Sequence, residues 1–348
     1  MTPPASYADL TPSEVLDALD AVGFRGDGRI LQLNSYENRV FQIMLEDGGA
    51  VVAKFYRPGR WSDAQILEEH AFAIELAEAE VPVVAPCLLH AADGGGTPVS
   101  LQPADARPTL ALRQGASGVH RYAVSPCHAG RAPELEDDAV LSRLGGFIGR
   151  MHAVGSRRPF EHRRRLDAPR DARDAIAQLE AGDFVAADQQ APWSAVCKEV
   201  VERIDAAFDR LRLPAIRLHG DCHVGNLLWR DQGAHVVDLD DACMGPAVQD
   251  LWMLLSGEPE QMALQLRHLL SGYAPFMDFD RAQLQLIEPL RLLRMLRHNA
   301  WVAQRWSDPA FPRAFPDFGS SGYWAQQALQ LREQLRLDAE APTLDTLL

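Results

Sequence analysis

Apolar positions at Val15, Leu16, Leu19 and Val22 recur at the spacing of one helical face, and Gly23 follows as a stop. Thr11-Pro12-Ser13-Glu14 supplies the start: Thr11 as N-cap, Pro12 in the first turn and Glu14 closing a capping box. From Ile30 to Tyr56 the pattern turns to strand, with ENRVFQIML and AVVAKFY joined by the hairpin signal Glu46-Asp47-Gly48-Gly49. A helix is predicted from about Ser62 to Glu80. Residues 93–118, rich in Gly, Pro and Ala, read as loops with a short strand, and HRYAVSP as another strand. Beyond Asp137 the pattern is helical, beginning with AVLSRLGGFIGRMHAV and filling most of 247–337, apart from a β segment around 227–239. No internal repeat is visible. A β-rich first part and a helical second part predict an α+β chain of two lobes with a cleft between them. The N-terminal lobe is expected over 1–125 and the C-terminal helical lobe, carrying the β segment as a hairpin, over 126–348.

The stretch LHGDCHVGNLLWRDQGAHVVDLDDA, residues 218–242, concentrates the chemistry. Asp231-Gln232-Gly233 interrupts two apolar runs, so a hairpin with a three-residue loop fits. Counting outward places Arg230 opposite Ala234, Leu228 opposite Val236 and Asn226 opposite Asp238. Opposed residues of an antiparallel pair share a face, so a carboxamide and a carboxylate converge. Hard oxygen donors of this kind suit Mg²⁺, which takes one or two protein groups plus phosphate oxygens. Asp221, five residues before Asn226, adds a carboxylate able to orient an acceptor hydroxyl and receive its proton. The competing reading is a polar turn whose side chains cap local backbone. Asp240 and Asp241 read as solvated acids at a strand end.

A phosphate-binding lysine belongs on an N-terminal strand, and Lys54 is the first lysine of the chain, with none again until Lys198. Its alternative is an edge-strand lysine that blunts aggregation. Glu69, on the inward stripe of the following helix with Ile66, Ala73 and Leu76, is its candidate partner, whereas Glu68 points to solvent. LNSYENRV, residues 33–40, contains no glycine and taken alone reads as an ordinary polar turn. Ser35 and backbone amides there could bond phosphate oxygens. Asp250 reads as an anchor of the catalytic loop through backbone hydrogen bonds, His219 as its support and His152 as a packed helix histidine. His223 has no assigned role.

Composition narrows the partners. A formal charge of −14 over 348 residues disfavours nucleic acid and anionic membrane. No apolar run reaches the roughly 20 residues of a membrane span, and the N-terminus lacks a signal-peptide pattern. Five scattered cysteines without a CxxC pair argue for a reducing compartment, hence a cytoplasmic protein.

HGDxHxGN followed by a strand ending in Asp resembles the aminoglycoside phosphotransferase and choline kinase-like superfamily, relatives of the protein kinases. LNSYENRV, KFYRPGRW, QILEEH, LHGDCHVGN, VDLDDA, GPAVQDLWMLL, IEPLR and RWSDPAFP resemble, more closely, the stress response kinase A family of bacterial serine/threonine protein kinases. Those resemblances imply a two-lobed protein-kinase-like fold, ATP and Mg²⁺ as cofactors, Ser/Thr hydroxyls of proteins as acceptors, autophosphorylation and a monomer. They imply Asp221 as proton acceptor, Asp238 and Asn226 on Mg²⁺, and Ser35 against ATP. Only eleven residues separate Asp238 from Asp250, too few for a long, phosphorylatable activation loop. Acids expected near the cleft (Glu134, Glu136, Asp137, Asp138, Asp240, Asp241) would equally suit a cationic small molecule such as an amino alcohol, so a small-molecule kinase stays open.

Overall fold

The computed structural model describes residues 7, 9–92, 99–104, 106–211, 213–230, 233–340 and 344–348. In chain order, α1 (Pro12–Asp20) precedes β1 (Gly26–Leu33), β2 (Arg39–Leu45) and β3 (Ala50–Phe55). Then come α2 (Asp63–Glu78), β4 (Val99–Gln102), β5 (Leu110–Gly115) and β6 (Gly118–Pro126). Helices α3 (Asp138–Gly155), α4 (Ala168–Ala181) and α5 (Gln190–Arg210) lead to four short strands. These are β7 (Ile216–Leu218), β8 (Leu227–Arg230), β9 (Gly233–Val236) and β10 (Cys243–Gly245). Helices α6 (Pro259–Tyr273), α7 (Ile287–Gln304), α8 (Ala310–Ala314), α9 (Ser321–Glu340) and α10 (Leu344–Leu347) follow. Among the described residues no helix is long and apolar enough to cross a membrane.

The chain forms two compact units. One gathers the described residues of Met1–Pro133 with Phe160–Arg163 and Gly225–Ala242; the other holds Glu134–Pro159, Arg164–Val224 and Cys243–Leu348. The hairpin of β8 and β9, expected in the C-terminal lobe, thus groups with the first unit. Its β9 runs beside Val83, and Arg131 bridges Trp229.

The first unit is built on an antiparallel sheet in the order β1-β2-β3-β6-β5-β4. Alternation along β3 sends Val51, Ala53 and Phe55 to one face, where they pack with Phe41, Ile43, Tyr122 and Val124. Helix α1 covers that face through Val15, Ala18 and Leu19, joined by Val22 in the turn after it. Thr11 caps α1 as expected, accepting from Glu14 N at 3.3 Å, but the Glu14 carboxylate pairs with Arg113 at 2.9 Å. An arginine is a stronger partner than the N-cap amide, so the box stays half closed. On the other face Lys54 lies opposite Val40 and Ala123, and Tyr56 and Ala123 pack with Ile66 of α2. Because β3 is bonded to both β2 and β6, Lys54 is not an edge-strand lysine. Glu68, expected in solvent, instead accepts the backbone N–H groups of Glu161, His162 and Arg163, and so ties that short segment to α2.

The second unit is mainly helical. Helices α3 and α6 approach so closely that a Cβ at Gly145 would overlap the Leu269 carbonyl, and one at Gly272 that of Ser142. A strand pair absent from the sequence expectation, β7 with β10, also lies here. At three residues each these strands are too short for alternation to reveal them.

Candidate active site

In the first unit, Lys54 Nζ lies 2.9 Å from Asp238 Oδ1 and 3.2 Å from Asp240 Oδ1, with 18% of its side chain exposed. Burial disfavours its charge, but Asp238 and Asp240 outweigh burial and hold it as an ammonium ion. The expected pair of Lys54 with Glu69 is therefore replaced by Lys54 with two aspartates. Glu69 is buried beside them, its Oε2 without a hydrogen-bond donor among the described residues and 3.9 Å from His70 Nε2. Burial pushes the Glu69 carboxyl up to about 7, against the opposing pull of Lys54. Between the ordinary carboxylate range and pH 7 the folded chain keeps a proton that the unfolded chain has released. That stabilisation is present at pH 5 and lost as pH rises through 7. Glu69→Gln stays neutral throughout, so its stability relative to the parent should rise by about 2–3 kcal/mol from pH 5 to pH 8. Urea melts at the two pH values check this; an equal offset at both would contradict it.

The hairpin register differs from expectation by one residue. Arg230 faces Gly233, Trp229 faces Ala234, Leu228 faces His235 and Leu227 faces Val236. Gly233, counted from sequence as a loop residue, is the first residue of β9 at φ 129°, a conformation that favours glycine. The loop residues Asp231 and Gln232 lie outside the described residues. A one-residue slip would normally turn each side chain to the other face. Here the ladder ends at Val236, and Val237 N donates to Asn226 O at 3.0 Å. Asp238 then takes a left-handed backbone, φ 62° and ψ 63°, which redirects the chain and sets its carboxylate on Lys54. A non-glycine residue held in that region stores strain that the surrounding contacts must sustain.

Asp240 is buried, not solvated. Arg60 Nη1 bonds its Oδ2, Asn38 Nδ2 donates to the same oxygen at 3.2 Å, and Arg60 Nη2 donates to Asp241 Oδ1 at 2.8 Å. Burial raises the Asp240 carboxyl, but Lys54 and Arg60 outweigh it and hold the group well below the usual range. Its backbone is held too: Arg163 bonds the Asp240 carbonyl and that of Ala242, with its guanidinium 4.1 Å from the Trp61 ring centroid. The glycine-free loop is shaped by side chains instead of glycine conformations. Ser35 Oγ accepts from Asn38 N at 3.2 Å and Asn38 Oδ1 accepts from Arg57 N at 3.0 Å. Arg57 in turn donates to the Glu37 and Tyr36 carbonyls. Asn38 thereby links the loop to Asp240 across 202 residues of sequence.

Asn226 thus accepts the last cross-strand hydrogen bond and Asp238 follows its donor, with 51% of the Asp238 side chain exposed. Among the described residues no cluster of three or more His, Cys, Asp or Glu forms a ready-made metal cage. These oxygen donors nonetheless fit Mg²⁺, which binds through few protein groups and completes its shell with phosphate and water.

In the second unit the loop carrying Asp221 is fastened by Asp250, whose Oδ2 accepts from His219 N and Oδ1 from Gly220 N, each at 2.8 Å. His152 Nε2 lies 3.1 Å from Asp250 Oδ2, while its Nδ1 meets Tyr273 OH at 3.0 Å. All of Asp250, His152 and His219 are buried. Gly220 turns the loop at φ 85°, and Gln249 donates to its carbonyl at 2.9 Å. Asp221 N donates to His219 Nδ1 at 3.3 Å, so His219 supports the loop through its ring. The Asp221 carboxylate meets Arg294 Nη1 at 2.7 Å and His223 Nε2 at 3.4 Å. Burial raises the Asp221 carboxyl, but His223 and Arg294 outweigh it and hold the group ionised. Asn38, Arg60, Arg163 and Arg294 were not legible as site residues. Their partners lie far away in sequence, where no local spacing could point to them.

A fold with a lysine-bearing β-sheet unit, paired oxygen donors and a clamped aspartate loop defines a phosphoryl-transfer class, and the comparisons agree. Residues 29–287 match the phosphotransferase enzyme family, and the chain belongs to it. It is 39% identical over 337 residues to stress response kinase A of Escherichia coli (strain K12), covering 97% of this chain and 96% of the relative. It is 38% identical over the same shares to the serine/threonine protein kinase RdoA of Salmonella typhimurium (strain LT2). Among solved structures, amicoumacin kinase hAmiN in complex with AMP-PNP and Ca²⁺ superposes with a TM-score of 0.71 at 18% identity, covering 97% of each chain. Family and relatives together support a kinase.

Proposed function

We propose that the chain is a cytoplasmic, monomeric, ATP- and Mg²⁺-dependent serine/threonine protein kinase of a stress response, able also to phosphorylate itself. The similarity to relatives named for that activity, 38–39% over almost the whole of both chains, carries the reading. In it Asn226 and Asp238 would hold Mg²⁺, Lys54 the phosphates with Glu69 behind it, and Ser35 the edge of the nucleotide. Bound Mg²⁺ supplies neutralisation of charge on the transferring phosphoryl group. Asp221, held ionised, accepts a hydrogen bond from the acceptor hydroxyl, orients it and takes its proton.

A cationic small molecule finds less support than the acidic composition suggests. Asp240 and Asp241 are engaged by Arg60, Asp137 caps α3 through Ala139 N and Val140 N, and Asp138 pairs with His268. Labelled ATP with Mg²⁺ tests the proposal: label on protein serine or threonine supports it, and label confined to a metabolite overturns it. Phosphosite mass spectrometry against Asp221→Ala separates true transfer from contamination. Lys54→Ala is expected to lower turnover roughly 10²-fold through misplaced phosphates. Steady-state kinetics check it, and unchanged turnover would reduce Lys54 to a structural counterion of Asp240.

A further inference from the structure

Arg294, on α7, approaches Asp221 with one nitrogen. Nη1 donates to Asp221 Oδ1 at 2.7 Å and lies 3.1 Å from Met253 Sδ. Among the described residues nothing accepts from Nε or Nη2, and 51% of the side chain is exposed. The Nε–Nη2 edge is a planar fork that matches carboxylate and phosphate oxygens in pairs. An arginine serving only to neutralise Asp221 could turn that fork onto the carboxylate; here the fork is left open beside it. The neighbouring turns of α7 add Arg291 and Arg297, so this helix is basic in a chain of net charge −14. Arg291 is already paired with Glu288 at 3.0 Å, whereas among the described residues the fork of Arg294 stays open beside the base.

We infer that Arg294 selects the acceptor by binding an anionic group, a carboxylate or a phosphate, next to the hydroxyl that Asp221 receives. This rests on the protein-kinase reading above. An extended peptide advances about 3.3 Å per residue, so the anion belongs within a residue or two of the acceptor serine or threonine. In the transfer the acceptor oxygen bonds to the γ-phosphorus and the bond from that phosphorus to the β–γ bridging oxygen breaks. ADP leaves and the hydroxyl proton goes to Asp221. Arg294 gives and takes no proton; it holds the acceptor.

The test is a peptide series, identical except for Glu, phosphoserine, Gln or Lys beside one acceptor serine, assayed on the intact chain with ATP and Mg²⁺. The Glu and phosphoserine peptides are expected to exceed the Gln peptide in kcat/KM by roughly tenfold, mostly through KM. A phosphoserine peptide well above Glu assigns phosphate, and equality assigns a carboxylate. Arg294→Gln should bring the ratio close to one, and Arg294→Lys, which keeps the charge without the fork, should retain part of it. Equal kcat/KM for Glu and Gln in the intact enzyme overturns the inference whatever the variants do, as does a preference that survives in Arg294→Gln. Turnover of no peptide at all overturns the protein-kinase reading and takes this one with it.

Discussion

Replacing Asp221 with alanine or asparagine is expected to lower kcat by roughly 10²–10⁴-fold, the scale of a lost base and positioning group. Affinity for the nucleotide should change little, because in the proposed reading Lys54, Asn226 and Asp238, not Asp221, hold the phosphates and Mg²⁺. The alanine variant leaves Arg294 and His223 without their shared carboxylate. The asparagine variant keeps size and one oxygen for Arg294 but cannot take a proton. Similar losses in both would attribute the effect to proton acceptance. A large loss in alanine alone would attribute it to the displaced arginine. Stopped-flow or steady-state rates with a fluorescent nucleotide titration measure the two quantities, and full turnover in Asp221→Asn would remove the base assignment.

Asp250→Ala is expected to cost about 3–5 kcal/mol of stability, since each donor left without an acceptor in a buried site costs about 1–3 kcal/mol. The carboxylate is fully buried and serves the buried His219 N–H and His152 imidazole and the partly buried Gly220 N–H, so alanine leaves these three groups without it. Asp250→Asn keeps one carboxyl-like oxygen and sets an N–H₂ against a donor, so a loss of about 1–3 kcal/mol is expected there. Because His219 and Gly220 lead directly into Asp221, the surviving folded fraction should also turn over more slowly. Denaturant melts decide the first point. An Asp250→Ala midpoint matching the parent would mean that the loop is held by Gln249 and His219 instead.

Local order was largely legible. Thr11 capping α1, the hairpin of β2 and β3, and the Ser62 start of α2 follow from hydrogen bonds and periodicity within a few residues of sequence. Asp250 could be read as a loop anchor because a lone carboxylate inside the apolar run GPAVQDLWMLL needs nearby donors. The hairpin register failed on a single residue, since a glycine can close a turn or begin a strand and the sequence does not distinguish them. Asp240 was misread for a related reason. In VDLDDA three acids look alike, and only Arg60, Asn38 and Lys54 arriving from elsewhere make one of them a buried hub.

By itself, then, the sequence determined the element types, the family pattern and the residue types able to hold a metal, a phosphate and an acceptor hydroxyl, because spacing along one strand or loop is encoded within that segment. Tertiary structure alone decided the pairings: Lys54 with Asp238 and Asp240 in preference to Glu69, Asn38 with Asp240, and Arg294 with Asp221 across 73 residues. Charges find partners by distance in space, and among many arginines and aspartates no periodicity records which two the fold will bring within hydrogen-bond reach.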